Sequence, residues 1–227
     1  MTTPTITSLA PLLDRLFDAA EAANGAMRAA VADLSDADRA RMMRSKTDYR
    51  DLYGRLKEIP LAVSRETGSL LYMLARSSRA RTIVEFGTSF GISTIYLAAA
   101  VTDNGAGRVF GTEMSAAKLA AAQANLEEAG LADAVTILGG DARESLADVP
   151  GPIGLVLLDG WKDLCLPVLR SLEPRLAPGA LVVADDITMA TMADYLDYVR
   201  DPANGYVSVA FPVEDGMEIS CRADATT

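Results

Sequence analysis

Five side chains near the end of this chain carry the most chemistry: Asp159, Trp161, Lys162, Asp185 and Asp186. An apolar run, Ile153 to Leu158, ends in the carboxylate Asp159, and an indole and an amine follow within three residues. A second apolar run, Ala180 to Ala184, ends in Asp185-Asp186. If the two runs are neighbouring parallel strands, three carboxylates meet at one sheet edge. They repel unless a cation sits between them. A hard divalent ion with oxygen ligands, such as Mg²⁺, answers that need and leaves positions open for substrate oxygens. Two adjacent hydroxyls on an aromatic ring suit those positions. The ion would acidify a hydroxyl, and Lys162, its pKa depressed by the neighbouring cation, would take the proton. Two plainer readings stand beside this one. Asp185-Asp186 could cap a helix beginning near Thr188, and Lys162 could be a surface lysine, although the positive end of a helix dipole disfavours it.

Composition narrows the alternatives. The 227 residues contain no histidine, which removes imidazole bases, triads and histidine metal ligands. The net charge of -10 disfavours nucleic acid as partner. Half the residues are apolar, but the runs are too short to span a membrane. Two cysteines, Cys165 and Cys221, and a start, Met1-Thr2-Thr3-Pro4, without a signal-peptide pattern point to a reduced, cytoplasmic setting.

The elements that must hold these residues are readable from periodicity. Residues 6 to 60 read as helices, with Leu9, Leu12, Leu13, Leu16 and Phe17 at helical spacing and Ser35/Asp38 as a capping box. Met42, Met43, Tyr49 and Tyr53 read chiefly as helical core, with a pocket or dimer contact as the alternative. A helix over Ser64–Arg76 follows. Strands are expected at Thr82–Phe86, Arg108–Thr112, Ala134–Leu138, Ile153–Leu158 and Ala180–Ala184. Helices are expected at Ile92–Val101, Ala116–Ala129, Ala142–Ala147, Leu164–Leu176 and Met189–Val199. This alternation predicts an α/β fold, a mostly parallel sheet covered on both faces. Gly205–Phe211 and Met217–Arg222, around Asp215-Gly216, predict an antiparallel edge hairpin, making seven strands. The expected division is residues 1–60, an N-terminal helical extension packing on the same domain, and 61–227, the main domain.

Ligands of such sheets bind beyond the strands' C-terminal ends. The first strand is followed by Gly87-Thr88-Ser89-Phe90-Gly91. Its glycines are four apart, unlike the G-x-G-x-x-G of nicotinamide cofactors. Such a turn suits a small carboxylate held by N–H groups and Ser93, while Glu85 suits an ammonium. A routine strand-to-helix turn is the alternative. Glu113, ending the second strand, suits ribose hydroxyls, and Asp141, after the third, suits an adenine amino group. Each acid alone reads equally as a strand terminus or helix cap. Together they describe an amino acid, a ribose and an adenine, which is S-adenosylmethionine.

Glu85 to Ser93, with Glu113 and Asp141-Ala142, resembles the class I methyltransferase pattern and its Rossmann-like fold. Leu158 to Asp163 with Pro167, then Ala184-Asp185-Asp186, is similar to the metal-dependent catechol and caffeoyl-CoA type of O-methyltransferase. The likeness covers roughly residues 60 to 200. It implies that Val63, Glu85, Gly87 and Ser93, with Thr88 in the same turn, serve the cofactor's methionine end. Glu113 would serve the ribose, and Asp141, Ala142 and Trp161 the adenine, with Asp159 adjoining. It further implies a metal on Asp159, Asp185 and Asp186, Lys162 as base, a hydroxylated aromatic acceptor and a homodimer. The chain departs from that type in three places. Asp186 stands where Asn is usual, and Gly160 stands where a larger residue is usual, which would open the site. The additional acid expected near the first hairpin strand has no match around Tyr206-Val207-Ser208. A metal-independent methyltransferase with a structural Lys162, and a catalytically silent cofactor-binding protein, remain the competing readings.

Overall fold

A computed structural model describes residues 5–45, 47 and 49–223; Met1 to Pro4 and the side chain of Met43 lie outside the described set. β-Branched and aliphatic runs form the sheet: β1 (Thr82–Phe86), β2 (Arg108–Glu113), β3 (Val135–Gly139), β4 (Ile153–Leu158), β5 (Leu176–Ala184), β6 (Tyr206–Phe211) and β7 (Met217–Arg222). The order is β3-β2-β1-β4-β5-β7-β6. β1 to β5 pair in parallel, and β7 runs antiparallel to both β5 and β6. The seven-stranded mixed sheet with an edge hairpin is therefore as the sequence predicts. Chain order reverses between β1 and β4, so a crevice opens there at the C-terminal edge.

The helices are α1 (Ala10–Ala22), α2 (Asn24–Ala30), α3 (Asp36–Met43), α4 (Tyr49–Arg55), α5 (Arg65–Ser77), α6 (Ile92–Asp103), α7 (Ala116–Glu128), α8 (Ala142–Ser145), α9 (Cys165–Leu172) and α10 (Ala193–Arg200). The starts of α3, α5, α7 and α8 follow capping chemistry. The hydroxyl of Ser64 accepts the Thr67 N–H at 3.0 Å to open α5, and that of Ser35 accepts the Asp38 N–H at 3.1 Å to open α3. α6 is buried over nearly its whole length, which fits its almost unbroken apolar sequence between sheet and outer helices.

Two cores lie on the two sheet faces. On one, Leu9, Leu12, Leu13 and Leu16 of the N-terminal segment join Leu71, Ile83, Ile95 and Leu157. α1 thus shares the core of the sheet. On the other face Val84, Val156, Leu158, Val168, Val182 and Tyr195 pack together. The last predicted helix begins later than its sequence pattern suggests: Ala190–Met192 is a 3₁₀ turn and α10 starts at Ala193. Asp185-Asp186 therefore caps no helix, and its carboxylates are left facing the sheet edge.

Candidate active site

Each strand end delivers one group to the crevice. Backbone bonds set them side by side: the N–H of Asp159 donates to the Phe86 carbonyl at 2.9 Å, and that of Asp185 to the Leu158 carbonyl at 3.1 Å. The crevice is a cavity of about 760 Å³. Of the predicted site residues, Val63, Gly87, Glu113, Asp141, Ala142, Asp159, Trp161, Lys162, Asp185 and Asp186 line it; Glu85, Thr88 and Ser93 do not.

Those three form a sealed cluster behind the turn after β1. The fully buried Glu85 carboxylate accepts hydroxyls from Ser93 at 2.7 Å, Thr88 at 2.9 Å and Thr94 at 2.5 Å. Burial raises its pKa to about 7, against the pull of the three hydroxyls. The cluster braces the turn that Gly87 makes. Gly87 has φ +102°, and a Cβ there would lie 2.6 Å from the Asp159 carbonyl oxygen. Only glycine lets the turns after β1 and β4 meet.

Glu113 is held by backbone N–H groups of Ser89 at 2.9 Å and Ser115 at 2.6 Å, and both its oxygens accept the Tyr53 hydroxyl, at 2.8 and 2.9 Å. Asp141 caps α8 by accepting the Arg143 N–H at 3.0 Å. It also takes the Arg143 guanidinium at 2.6 Å and that of Arg50 at 3.0 Å. These bonds, Arg143 foremost, hold its pKa well below the usual carboxylate range. Asp141 is thus both a cap and a cavity-lining acid. Trp161 stands 5.3 Å, centroid to centroid, from the ring of Tyr49, and its indole N–H is buried without a partner among the described residues.

The other end of the cavity differs in one respect from expectation. The cation among the three carboxylates is Lys162 itself: its ammonium lies 2.8 Å from Asp159 Oδ1 and 3.0 Å from Asp186 Oδ2. Burial alone would lower its pKa, but Asp159 and Asp186 outweigh that and raise it. This is the opposite of the depression expected of a base. Burial, with the charge of Asp159, raises the Asp185 carboxyl to about 7. Among the described residues no group of three or more carboxylate, thiolate or imidazole side chains is arranged to hold a metal ion. The donor set suits a hard divalent cation by its chemistry, while Lys162 closes the arrangement. Asp186 adopts φ +57°, the left-handed region that Asp and Asn tolerate best, so the usual Asn and the Asp found here meet the same backbone demand.

The opening expected at Gly160 is absent. A Cβ there would lie 2.6 Å from the ring of Phe86, which already fills the space. The first hairpin strand, β6, carries no acid, and the hairpin turn brings one to the cavity. Glu214 lines the cavity and accepts the Ser64 N–H at 3.0 Å and the Thr67 hydroxyl at 2.9 Å. Tyr49 and Tyr53, read from sequence chiefly as helical core with a pocket as the alternative, line the cavity, and Arg50, which the sequence did not single out, reaches Asp141. An aromatic pair four apart looks the same whether it faces a core or a cavity.

Residues 84–187 match the methyltransferase domain family. The strand order and edge hairpin of the domain are those of the class I methyltransferase fold. The cofactor-bound protein Rv0187 from MTB superposes with a TM-score of 0.68 at 25% identity, covering 82% of this chain and 96% of that one. The fold is shared too by the O-methyltransferase TomG from Streptomyces achromogenes, solved in complex with SAM. That match has a TM-score of 0.65 at 24% identity and covers 85% of this chain and 93% of that one. In sequence, the catechol O-methyltransferase of Mycobacterium tuberculosis is 34% identical over 132 residues, 57% of this chain and 59% of that protein. The catechol O-methyltransferase of Niastella koreensis is 33% identical over 131 residues, 56% of this chain and 58% of that protein. The likeness to these relatives thus spans less than two thirds of their length.

Proposed function

We propose that this chain is an S-adenosylmethionine-dependent O-methyltransferase that methylates a hydroxyl of a catechol-like or polyphenolic small molecule. The observation that carries the reading is one cavity lined by two chemically distinct sets of groups. One set is the ribose-type acid Glu113, the adenine-type acid Asp141 and the indole of Trp161, with Gly87. The other is Lys162 with the carboxylates of Asp159, Asp185 and Asp186, which would hold an acceptor hydroxyl.

Val63, Gly87, Glu113, Asp141, Ala142 and Trp161 would hold the cofactor, with Glu85, Thr88 and Ser93 bracing the turn from behind and Asp159 adjoining. When bound, the cofactor supplies an electrophilic methyl group on a sulfonium. The chain's own task is to fix an acceptor oxygen in line with that methyl and to take up the hydroxyl proton. Lys162 would serve this role. It can take a proton only when Asp159 and Asp186 are otherwise engaged. A divalent cation on Asp159, Asp185 and Asp186, Mg²⁺ for instance, would engage them and polarise the acceptor hydroxyl as well.

The ion pairs of Lys162 favour a second reading, metal-independent transfer with Lys162 as a fixed ammonium beside the acceptor oxygen. A methyl-transfer screen over catechols and flavonoids, with Mg²⁺ or with excess EDTA, tests both. Turnover that EDTA abolishes and Mg²⁺ restores supports the metal; full activity in EDTA leaves the second reading. No transfer to any hydroxylated aromatic, with S-adenosylhomocysteine failing to bind, would sink the proposal. A homodimer, a cytoplasmic setting and the absence of a nucleic-acid partner belong to the same proposal. No described helix is long and apolar enough to cross a membrane.

A further inference from the structure

Helix α4 lies over the strand ends with three side chains engaged, and each of their partners is a group assigned above to the nucleoside. The Tyr53 hydroxyl donates to both oxygens of Glu113, at 2.8 and 2.9 Å, as ribose hydroxyls would. The Arg50 guanidinium donates to Asp141 at 3.0 Å, as an adenine amino group would. The Tyr49 ring stands 5.3 Å from that of Trp161, as an adenine ring would. Tyr49 and Tyr53, four residues apart, share one face of the helix, and Arg50 flanks it.

Two polar groups beneath the helix are left unsatisfied. The Lys118 ammonium is fully buried with no hydrogen-bond partner among the described residues, 4.6 Å from the centre of the Tyr53 ring. The indole N–H of Trp161 is likewise unpartnered. A helix seated for stability alone would not cover a bare ammonium, because burying an unpaired charge is costly. The ring face above Lys118 offsets part of that cost. Glu113 does not depend on Tyr53, since the N–H groups of Ser89 and Ser115 also hold it.

We propose that α4 is a built-in competitor for the nucleoside half of the cavity, and that cofactor binding displaces Tyr49, Arg50 and Tyr53 together. This rests on the reading of the cavity as an S-adenosylmethionine site. The cofactor then binds only the fraction of molecules with α4 lifted, so its apparent affinity is reduced by that fraction. Tyr53→Phe removes the hydroxyl and keeps the ring over Lys118. Loss of one hydrogen bond to a charged group should raise the lifted fraction, and tighten binding, by about tenfold.

The test is calorimetric titration of S-adenosylhomocysteine into the wild type, Tyr53→Phe and Arg50→Met/Tyr53→Phe. Hydrogen exchange of residues 49–55 is followed with and without the ligand. Binding that tightens about tenfold in the single variant and further in the double, with faster exchange over 49–55 on binding, is the expected result. Wild-type or weaker affinity in both variants, or slower exchange over 49–55, would overturn the proposal and make α4 a lid that closes on the ligand. Failure of all three proteins to bind would instead remove the cofactor reading, and this proposal with it. The fluorescence of Trp161, the only tryptophan, reports separation from Tyr49 in the same titrations.

Discussion

Three buried charged side chains carry most of the behaviour that can be tested at the level of single residues. Glu85 has a folded-state pKa of about 7, above its ordinary value of 4.5. The folded state therefore holds the proton more tightly than the unfolded chain, and stability falls as pH rises from 4.5 through 7. Glu85→Gln keeps groups able to pair with Ser93, Thr88 and Thr94 but carries no charge. Urea unfolding should show the wild type losing about 3 kcal/mol relative to the variant between pH 5 and pH 8, as an upper bound. Equal pH dependence in the two proteins would refute the assignment. Lys118 works in the opposite direction. Burial lowers its pKa to about 8 from 10.5, against the pull of Glu113. The unfolded chain binds the proton more tightly between those values, so stability rises with pH from 8 to 10.5 and is lowest below 8. Lys118→Met is expected to raise the melting temperature at pH 7 and to lose that advantage by pH 10.5. Lys162→Met should reduce methyl transfer by about 10²-fold or more, the usual share of a positioned proton-transfer group. It should also lower the melting temperature, because Asp159 and Asp186 lose their shared cation. An unchanged rate would make Lys162 purely structural. The acids at the strand ends were legible in the sequence because carboxylates after apolar runs are conspicuous. The partners of those acids were not, because Tyr53 and Arg50 reach them from another element.

Turns and caps set where those residues stand. The boundaries of β1, β4 and β7 agree with the apolar runs, since a buried strand ends where polar residues begin. The helix after β5 was misjudged by its pattern. Met189 and Met192 sit at helical spacing, but the chain there makes a 3₁₀ turn before α10. Before that turn Asp186 sits in the left-handed region, its side chain on Lys162. The turn after β1 is the more exacting one. Gly87→Ala would force a Cβ against the Asp159 carbonyl at 2.6 Å and a side chain onto φ +102°. A loss on the order of 2 kcal/mol is expected in urea unfolding, from strain alone, with weaker S-adenosylhomocysteine binding as the second readout. Wild-type stability in this variant would mean that the two turns part freely.

At the scale of the molecule, the sheet ends in an exposed edge. Val207, Val209 and Phe211 alternate along β6 and are 72%, 60% and 42% exposed. An uncovered apolar edge of this kind invites pairing. Under the homodimer proposed above, sedimentation velocity should find a dimer in the wild type and a monomer in Val209→Lys; a wild-type monomer would refute it. The sequence by itself determined the α/β class, the strand count, the antiparallel hairpin and the strand-end acids. These follow from local periodicity and from where hydrophobic runs stop, both written in neighbouring residues. Only the tertiary structure decided that Lys162, rather than a space between carboxylates, holds Asp159 and Asp186. It alone sealed Glu85 behind the turn, filled the space beside Gly160 with Phe86, and laid α4 across Glu113, Asp141 and Trp161. Each of these is a contact between residues distant in the chain or a rotamer set by packing, and periodicity carries no record of either.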